Sequence, residues 1–328
     1  MREITYTNPV YAEYFADPFV WKAGETYFAI GTGADEAAGR VHPRVFPLLR
    51  SPDLVHWQER GRALTRLDAS FGDTYWAPEV AHHEGNFYLY YSVGHADKKH
   101  QLRVAQSDNP LGPYHDMAGP LVACEECPFA IDAHPFRDDD GQWYLFYARD
   151  FLGLDEGRAG TALAVSRFET MTRVAREWNV VLRARFDWQR FQANRPMYGR
   201  VYDWHTLEGP CVRKRDGRYY CFYSGGRWET DSYGVDYGVA EAPMGPYIDA
   251  AVASGARVLR TAPGRALGPG HNSIVVGPDG KTDFMVYHAW GPDRTARRLC
   301  IDPIDWTNEG PRVRGPSTTA QKLGSGSV

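Results

Sequence analysis

No apolar stretch in the 328 residues approaches the roughly 20 needed to span a bilayer, which excludes a transmembrane helix. No run of Lys or Arg is present either. With 37 basic against 41 acidic side chains and a pI near 6.3, the chain lacks the basic stripe a polyphosphate wants, which argues against a nucleic-acid partner. The opening "MREITYTNPVYAEYF" lacks the apolar middle of a signal peptide, so a cytoplasmic protein is expected unless a leader has been removed. Cysteine is scarce: Cys124, Cys127, Cys211, Cys221 and Cys300 are odd in number, cannot all pair, and favour a reducing compartment. "CEEC" at 124–127 has the C-x-x-C spacing, but no second such pair and no H-x-x-x-H completes a zinc site. Long amphipathic helices are missing as well.

What the chain does hold is aromatic. Hydrophobic residues make up 43% of it, enough for a sizeable core, and the 10 Trp and 20 Tyr suit both strands and flat carbohydrate-binding surfaces. One hairpin recurs: an apolar strand, a turn rich in Gly, Asp or Glu, then an aromatic strand. It reads "ADPFVWKAGETYFAIGT", "APEVAHHEGNFYLYYSVG", "DAHPFRDDDGQWYLFYARD", "EGPCVRKRDGRYYCFYSGG" and "HNSIVVGPDGKTDFMVYHAW". Each alternates at period two, as half-buried antiparallel strands should. The aromatic strands begin at Tyr27, Phe87, Trp143, Tyr219 and Phe284, and a third and often a fourth strand-like segment follows each. Five units of four short strands predict an all-β, five-bladed β-propeller filling about Phe15 to Val313, in place of a β-sandwich. Residues 1–316 are expected as one domain, and 317–328, ending "GSGSV", as a flexible tail or cloning scar.

The residues opening each unit are Asp17 in "FADPF", Trp76 in "YWAPEV", Asp132 in "AIDAHPF", Glu208 in "TLEGPCV" and His271 in "GPGHNSIV". In a propeller the innermost strands begin around one end of a central channel, so these five are expected to converge. Unpaired buried acids are costly and cluster where their shifted ionisation is used. A lone Asp-Pro is ordinarily a turn, but Asp17 is better explained as an acid at the channel mouth. The Asp138–Asp140 run belongs to a solvated hairpin tip.

These fragments in this order, with "SPDLVHW" and "IDPIDW", resemble glycoside hydrolase family 43 from about Asp17 to Trp306. The resemblance implies a five-bladed propeller and an inverting enzyme acting on arabinans, arabinoxylans or xylo-oligosaccharides. It implies Asp17 as general base, Glu208 as general acid and Asp132 as the modulator of that acid. Trp76 is expected either to stack on a pentose ring or to fill the core. His271 is either a core histidine or a group beside the catalytic floor that reaches a structural Ca²⁺ through water, although no acidic loop with EF-hand-like spacing is present. Arg297 matches an arginine that reaches the terminal sugar, and Arg298 competes with it because strand alternation lets only one face inward.

Three functions follow. The first is an exo-acting enzyme releasing terminal L-arabinofuranose or D-xylose from small oligosaccharides. The second is an endo-arabinanase, which needs an open groove. The third is a non-catalytic carbohydrate-binding propeller, for which a full set of three acids is unnecessary. Insertions "GADEAAGRVHPRVF" and "NRPMYGRVYDWHT" either wall off a pocket, favouring the first, or are outer loops. The sequence leaves the oligomeric state open.

Overall fold

The computed structural model describes residues 4–37, 40–117, 119–153, 157–249 and 251–323. It is all-β, built from five units of four antiparallel strands in sequential order. Unit one comprises Ala16–Ala23, Thr26–Thr32, Arg44–Ser51 and Gln58–Thr65. Unit two comprises Thr74–His83, Asn86–His95, Lys98–Ser107 and His115–Asp116. Unit three comprises Ala130–Arg137, Trp143–Phe151, Gly160–Thr170 and Arg173–Leu182. Unit four comprises Arg200–Arg215, Arg218–Gly225, Gly234–Ala240 and Ile248–Asp249. Unit five comprises Leu267–Val276, Asp283–Trp290, Arg297–Thr307 and Gly310–Val313. The first strands of successive units pack against one another, and the fifth packs against the first, so the inner strands close a ring.

The aromatic second strands are not half-buried as their alternation suggested; both faces are covered. Adjacent residues point into two different cores. Tyr91 enters the core shared by units one and two, while Tyr90 enters that of units two and three. Phe146 and Tyr147 divide in the same way on either side of unit three, and Tyr223 and Phe222 on either side of unit four. Val286 completes the set in the core between units five and one, beside Phe15 and Tyr27. Runs such as "FYLYYS" and "YLFYAR" therefore need apolar residues at consecutive positions, each buried large side chain contributing about 1.5–3 kcal/mol.

Two additions position the site. The first strand of unit four is 16 residues long, and its early part pairs with Arg190–Met197 to form a hairpin standing off the ring. This hairpin is tied to unit three by the parallel pairs Gly160–His205 and Thr161–Thr206. The second addition is the closure: Ile4–Tyr6 pairs with Gln321–Leu323, and Asn8 bonds Ile301 and Ser317. Within the stretch expected as a tail, Gln321–Leu323 is paired and Ser317 N–H donates to Asp302 Oδ2. Residues 324–328 lie outside the described residues.

Candidate active site

Every first strand is interrupted at the same place. The register slips between Ala16 and Phe19, Trp76 and Glu79, Ile131 and His134, Glu208 and Cys211, and Gly270 and Ser273. Each slip carries one residue with a left-handed backbone: Asp17 (φ 50°), Ala77 (46°), Asp132 (60°), Gly209 (57°) and His271 (48°). Such a conformation costs a non-glycine residue about 1–2 kcal/mol, yet it recurs in all five units. This corrects the alignment drawn from the sequence. Asp17, Asp132 and His271 are equivalent, whereas Trp76 and Glu208 each stand one residue ahead of that position. A bulge sets two residues of one strand against one of its partner, so neighbouring side chains can serve one cavity. Pro18, Pro78 and Pro210, each following the left-handed residue, mark the register in the sequence.

The bulges surround a cavity of about 190 Å³ lined by one or more residues from every unit, including Asp17, Trp76, Asp132, Glu208, His271 and Arg297. All six residues singled out from the sequence are therefore gathered in it. Asp17 Oδ1 lies 3.2 Å from Arg297 Nη1, 3.6 Å from His271 Nδ1 and 3.5 Å from His288 Nδ1. Burial pushes the Asp17 carboxyl up, but Arg297 and then the two histidines outweigh it and hold the group well below the usual carboxylate range. Asp132 Oδ2 accepts the Gly209 backbone N–H at 2.9 Å and lies 4.0 Å from His271 Nδ1. Burial, reinforced by Glu208 and Asp17, raises Asp132 well above its ordinary value. Burial likewise raises Glu208 to about 7; the Tyr233 hydroxyl opposes this by donating to Oε1 at 2.6 Å, and Asp17 adds to it. Asp132 and Glu208 thus titrate together. At the centre of the cavity stand Asp17, which stays ionised, and the buried pair Asp132 and Glu208, which retains a proton near neutral pH.

Arg297, not Arg298, faces this centre. Its guanidinium bonds the Tyr14 hydroxyl at 2.8 and 3.0 Å and covers the Trp228 ring at 4.4 Å. Arg298 turns out to the Ala12 carbonyl and Thr295. Trp76 stacks on His100 with ring centroids 3.9 Å apart and 19° between planes, so one indole face is covered while the residue still lines the cavity. Beneath the centre, buried Glu79 accepts from His134 Nδ1 at 2.7 Å, and His134 Nε2 accepts the Val212 N–H.

The insertion before Glu208 walls the cavity through Arg195, Met197 and Trp204, joined by Phe191 just ahead of it, and Arg195 reaches Asp97 of unit two at 2.7 Å. The other insertion lies within unit one, between its second and third strands, and its described residues do not line the cavity: Asp35 pairs with Arg40 and Arg62. Its residues 38–39 lie outside the described residues. Tyr233, His288, Tyr14 and Trp228 were missed by sequence reasoning. Trp228 and Tyr233 sit between strands of unit four, where no periodicity marks them.

Among the described residues no three His, Cys, Asp or Glu side chains gather to hold a metal ion. Calcium takes six to eight oxygen ligands, whereas His271 Nδ1 is turned toward Asp17 and Asp132, and Glu79 is bound to His134. These residues do not fit a directly ligated ion. In "CEEC", the two thiols bond separate carbonyls, those of Lys99 and Phe129.

The family model "Glycosyl hydrolases family 43" matches residues 6–311. A β-D-galactofuranosidase of Aspergillus niger is 29% identical over 92% of this chain and 83% of its own. An extracellular exo-α-(1→5)-L-arabinofuranosidase of Cellvibrio japonicus is 26% identical over 90% of this chain and 84% of its own. Among solved structures, a thermostable family-43 glycoside hydrolase superposes with a TM-score of 0.83 at 31% identity, covering 98% of this chain and 100% of that one.

Proposed function

Because the chain belongs to glycoside hydrolase family 43, we propose that it is an inverting, exo-acting hydrolase releasing a terminal L-arabinofuranose or D-xylose from a small oligosaccharide. The ring of five four-stranded units is read as a five-bladed propeller with its active site at one end of the channel. The observation that carries the reading is the opposed ionisation of the carboxylates. Asp17 is held ionised chiefly by Arg297, while Glu208 is raised to about 7 by burial. Carboxyl groups pushed apart in this way divide the roles of base and acid.

Asp17 takes a proton from water as that water attacks the anomeric carbon. Glu208 gives its proton to the departing glycosidic oxygen, and the configuration inverts. Asp132, bonded through the Gly209 amide to the strand that carries Glu208, disfavours ionisation of the acid. Exo action is supported by the Arg190–Met197 hairpin, which the Arg195–Asp97 ion pair fastens across the cavity to unit two. The galactofuranosidase relative adds a third candidate sugar, since D-galactofuranose repeats the hydroxyl arrangement of L-arabinofuranose with one more hydroxymethyl group.

A panel of nitrophenyl arabinofuranoside, xyloside and galactofuranoside, with linear arabinan sized by chromatography, tests the proposal. Nitrophenol release with monosaccharide product supports it. Oligosaccharide product means endo-arabinanase action, and no turnover on any substrate leaves a binding propeller.

A further inference from the structure

The reading of Glu208 as the acid leaves open which of its two oxygens carries the proton, and a chain of hydrogen bonds bears on that choice. The backbone N–H of His271 donates to Ser224 Oγ at 2.6 Å. Ser224 neighbours the Tyr233 hydroxyl, and Tyr233 Oη donates to Glu208 Oε1 at 2.6 Å. A backbone amide can only donate, whereas a hydroxyl can accept one bond and donate another. Ser224 Oγ therefore accepts from His271 and is already engaged as an acceptor. The phenol hydrogen is then left to point at Glu208.

Resting on the acid role of Glu208, we infer that Tyr233 is a positioning residue that makes Glu208 Oε1 an obligatory acceptor and confines the transferable proton to Oε2. The sequence is shaped for this contact. At Gly270 an added Cβ would lie 2.1 Å from Tyr233 Cε1, so only glycine lets the ring lie where it does. On its other side the ring runs parallel to His288, 6.0 Å away at 7°, whose Nδ1 accepts the Asp17 backbone N–H. Tyr233 is itself fully buried, and burial raises its phenol well above the usual value, so it remains a donor across the working pH range.

The other charged or titratable groups lining the cavity with Glu208 are Asp17 of unit one, Asp97 of unit two, Asp132 and Asp150 of unit three, Arg195 of the added hairpin, and His271 and Arg297 of unit five. None of them changes in Tyr233→Phe, which keeps the ring and removes only the hydroxyl. A donor to a carboxylate favours its ionised form, so losing it raises the pKa of Glu208. The alkaline limb of kcat/KM on an unactivated disaccharide should move up by about one pH unit. On that substrate kcat should fall, because the proton now divides between two oxygens, and on a nitrophenyl glycoside it should fall less. Ser224→Ala should move the limb the same way by a smaller amount, and Gly270→Ala, which displaces the ring, should reproduce Tyr233→Phe. Glu208→Gln separates this inference from the reading beneath it. If Glu208→Gln is inactive on the disaccharide while Tyr233→Phe leaves the limb unmoved or lowers it, the positioning role is wrong and the acid stands. If Glu208→Gln retains full activity on the disaccharide, the acid assignment falls and the role of Tyr233 with it.

Discussion

Replacing Asp132 with Asn should separate charge from geometry at the acid. Asparagine keeps an oxygen for the Gly209 amide, which Asp132 accepts at 2.9 Å, and removes only the ability to ionise. In the parent enzyme Asp132 and Glu208 titrate as a pair, and the alkaline limb of the rate profile reports loss of the last proton they share. That loss places two negative charges side by side in a buried site. Two unit charges about 4 Å apart at an effective dielectric constant of about 20 repel by about 4 kcal/mol, so the shift is at most roughly three pH units. Burial of Glu208 persists in the variant and is the largest cause of its rise to about 7. The limb should therefore move down by about one to two units and stop above the ordinary glutamate value. The sign is fixed: removing a neighbouring anion lowers the pKa of an acid that must stay protonated. The assay is kcat/KM on a disaccharide from about pH 4 to about pH 9, where acidification should restore part of the lost rate. An unmoved limb with uniformly lower rates would refute the reasoning and leave Asp132 as a substrate-positioning group.

Asp17→Ala should lose about 10²–10⁴-fold on every substrate, whereas Glu208→Ala should lose that much on a disaccharide but be partly spared on a nitrophenyl glycoside; equal losses on both substrates would contradict the division of roles. Arg297→Ala removes the cation that lowers both Asp17 and Glu208, so both limbs of the profile should shift to higher pH, and a fall in either would count against the assignment. Arg103→Ala strands Asp116, which the buried Arg103 side chain bonds at 2.7 and 3.0 Å, and should cost about 3–5 kcal/mol in urea unfolding. A loss under about 1 kcal/mol would show the pair to be dispensable.

The repeating hairpins were legible because their turns and aromatic strands recur, and the acids because Asp17 and Asp132 hold matching places. The reading went astray where one signal serves two structures. Alternation in "NFYLYYSVGH" suggested one buried face, but the strand lies between two neighbouring units and buries both, so Tyr90 and Tyr91 belong to different cores. Glu208 and Trp76 looked equivalent to Asp17, although a bulge offsets them by one residue, and only the following prolines record it. Tyr233 and His288 were illegible, since each acts through a contact between segments distant in sequence and not through a local pattern. Gly270 held a trace of it: a glycine within a strand marks close approach, here by the Tyr233 ring.

The central claim is that Asp17 and Glu208 act on opposite sides of one bond, and the anomeric form of the released sugar tests it most directly. On the best substrate of the glycoside panel, proton NMR should be recorded within the first turnovers, before mutarotation. The account predicts that the first sugar to appear has the anomeric configuration opposite to that of the substrate, and that Asp17→Ala abolishes its appearance. A first product of retained configuration would mean a covalent intermediate on one carboxylate and would contradict the account.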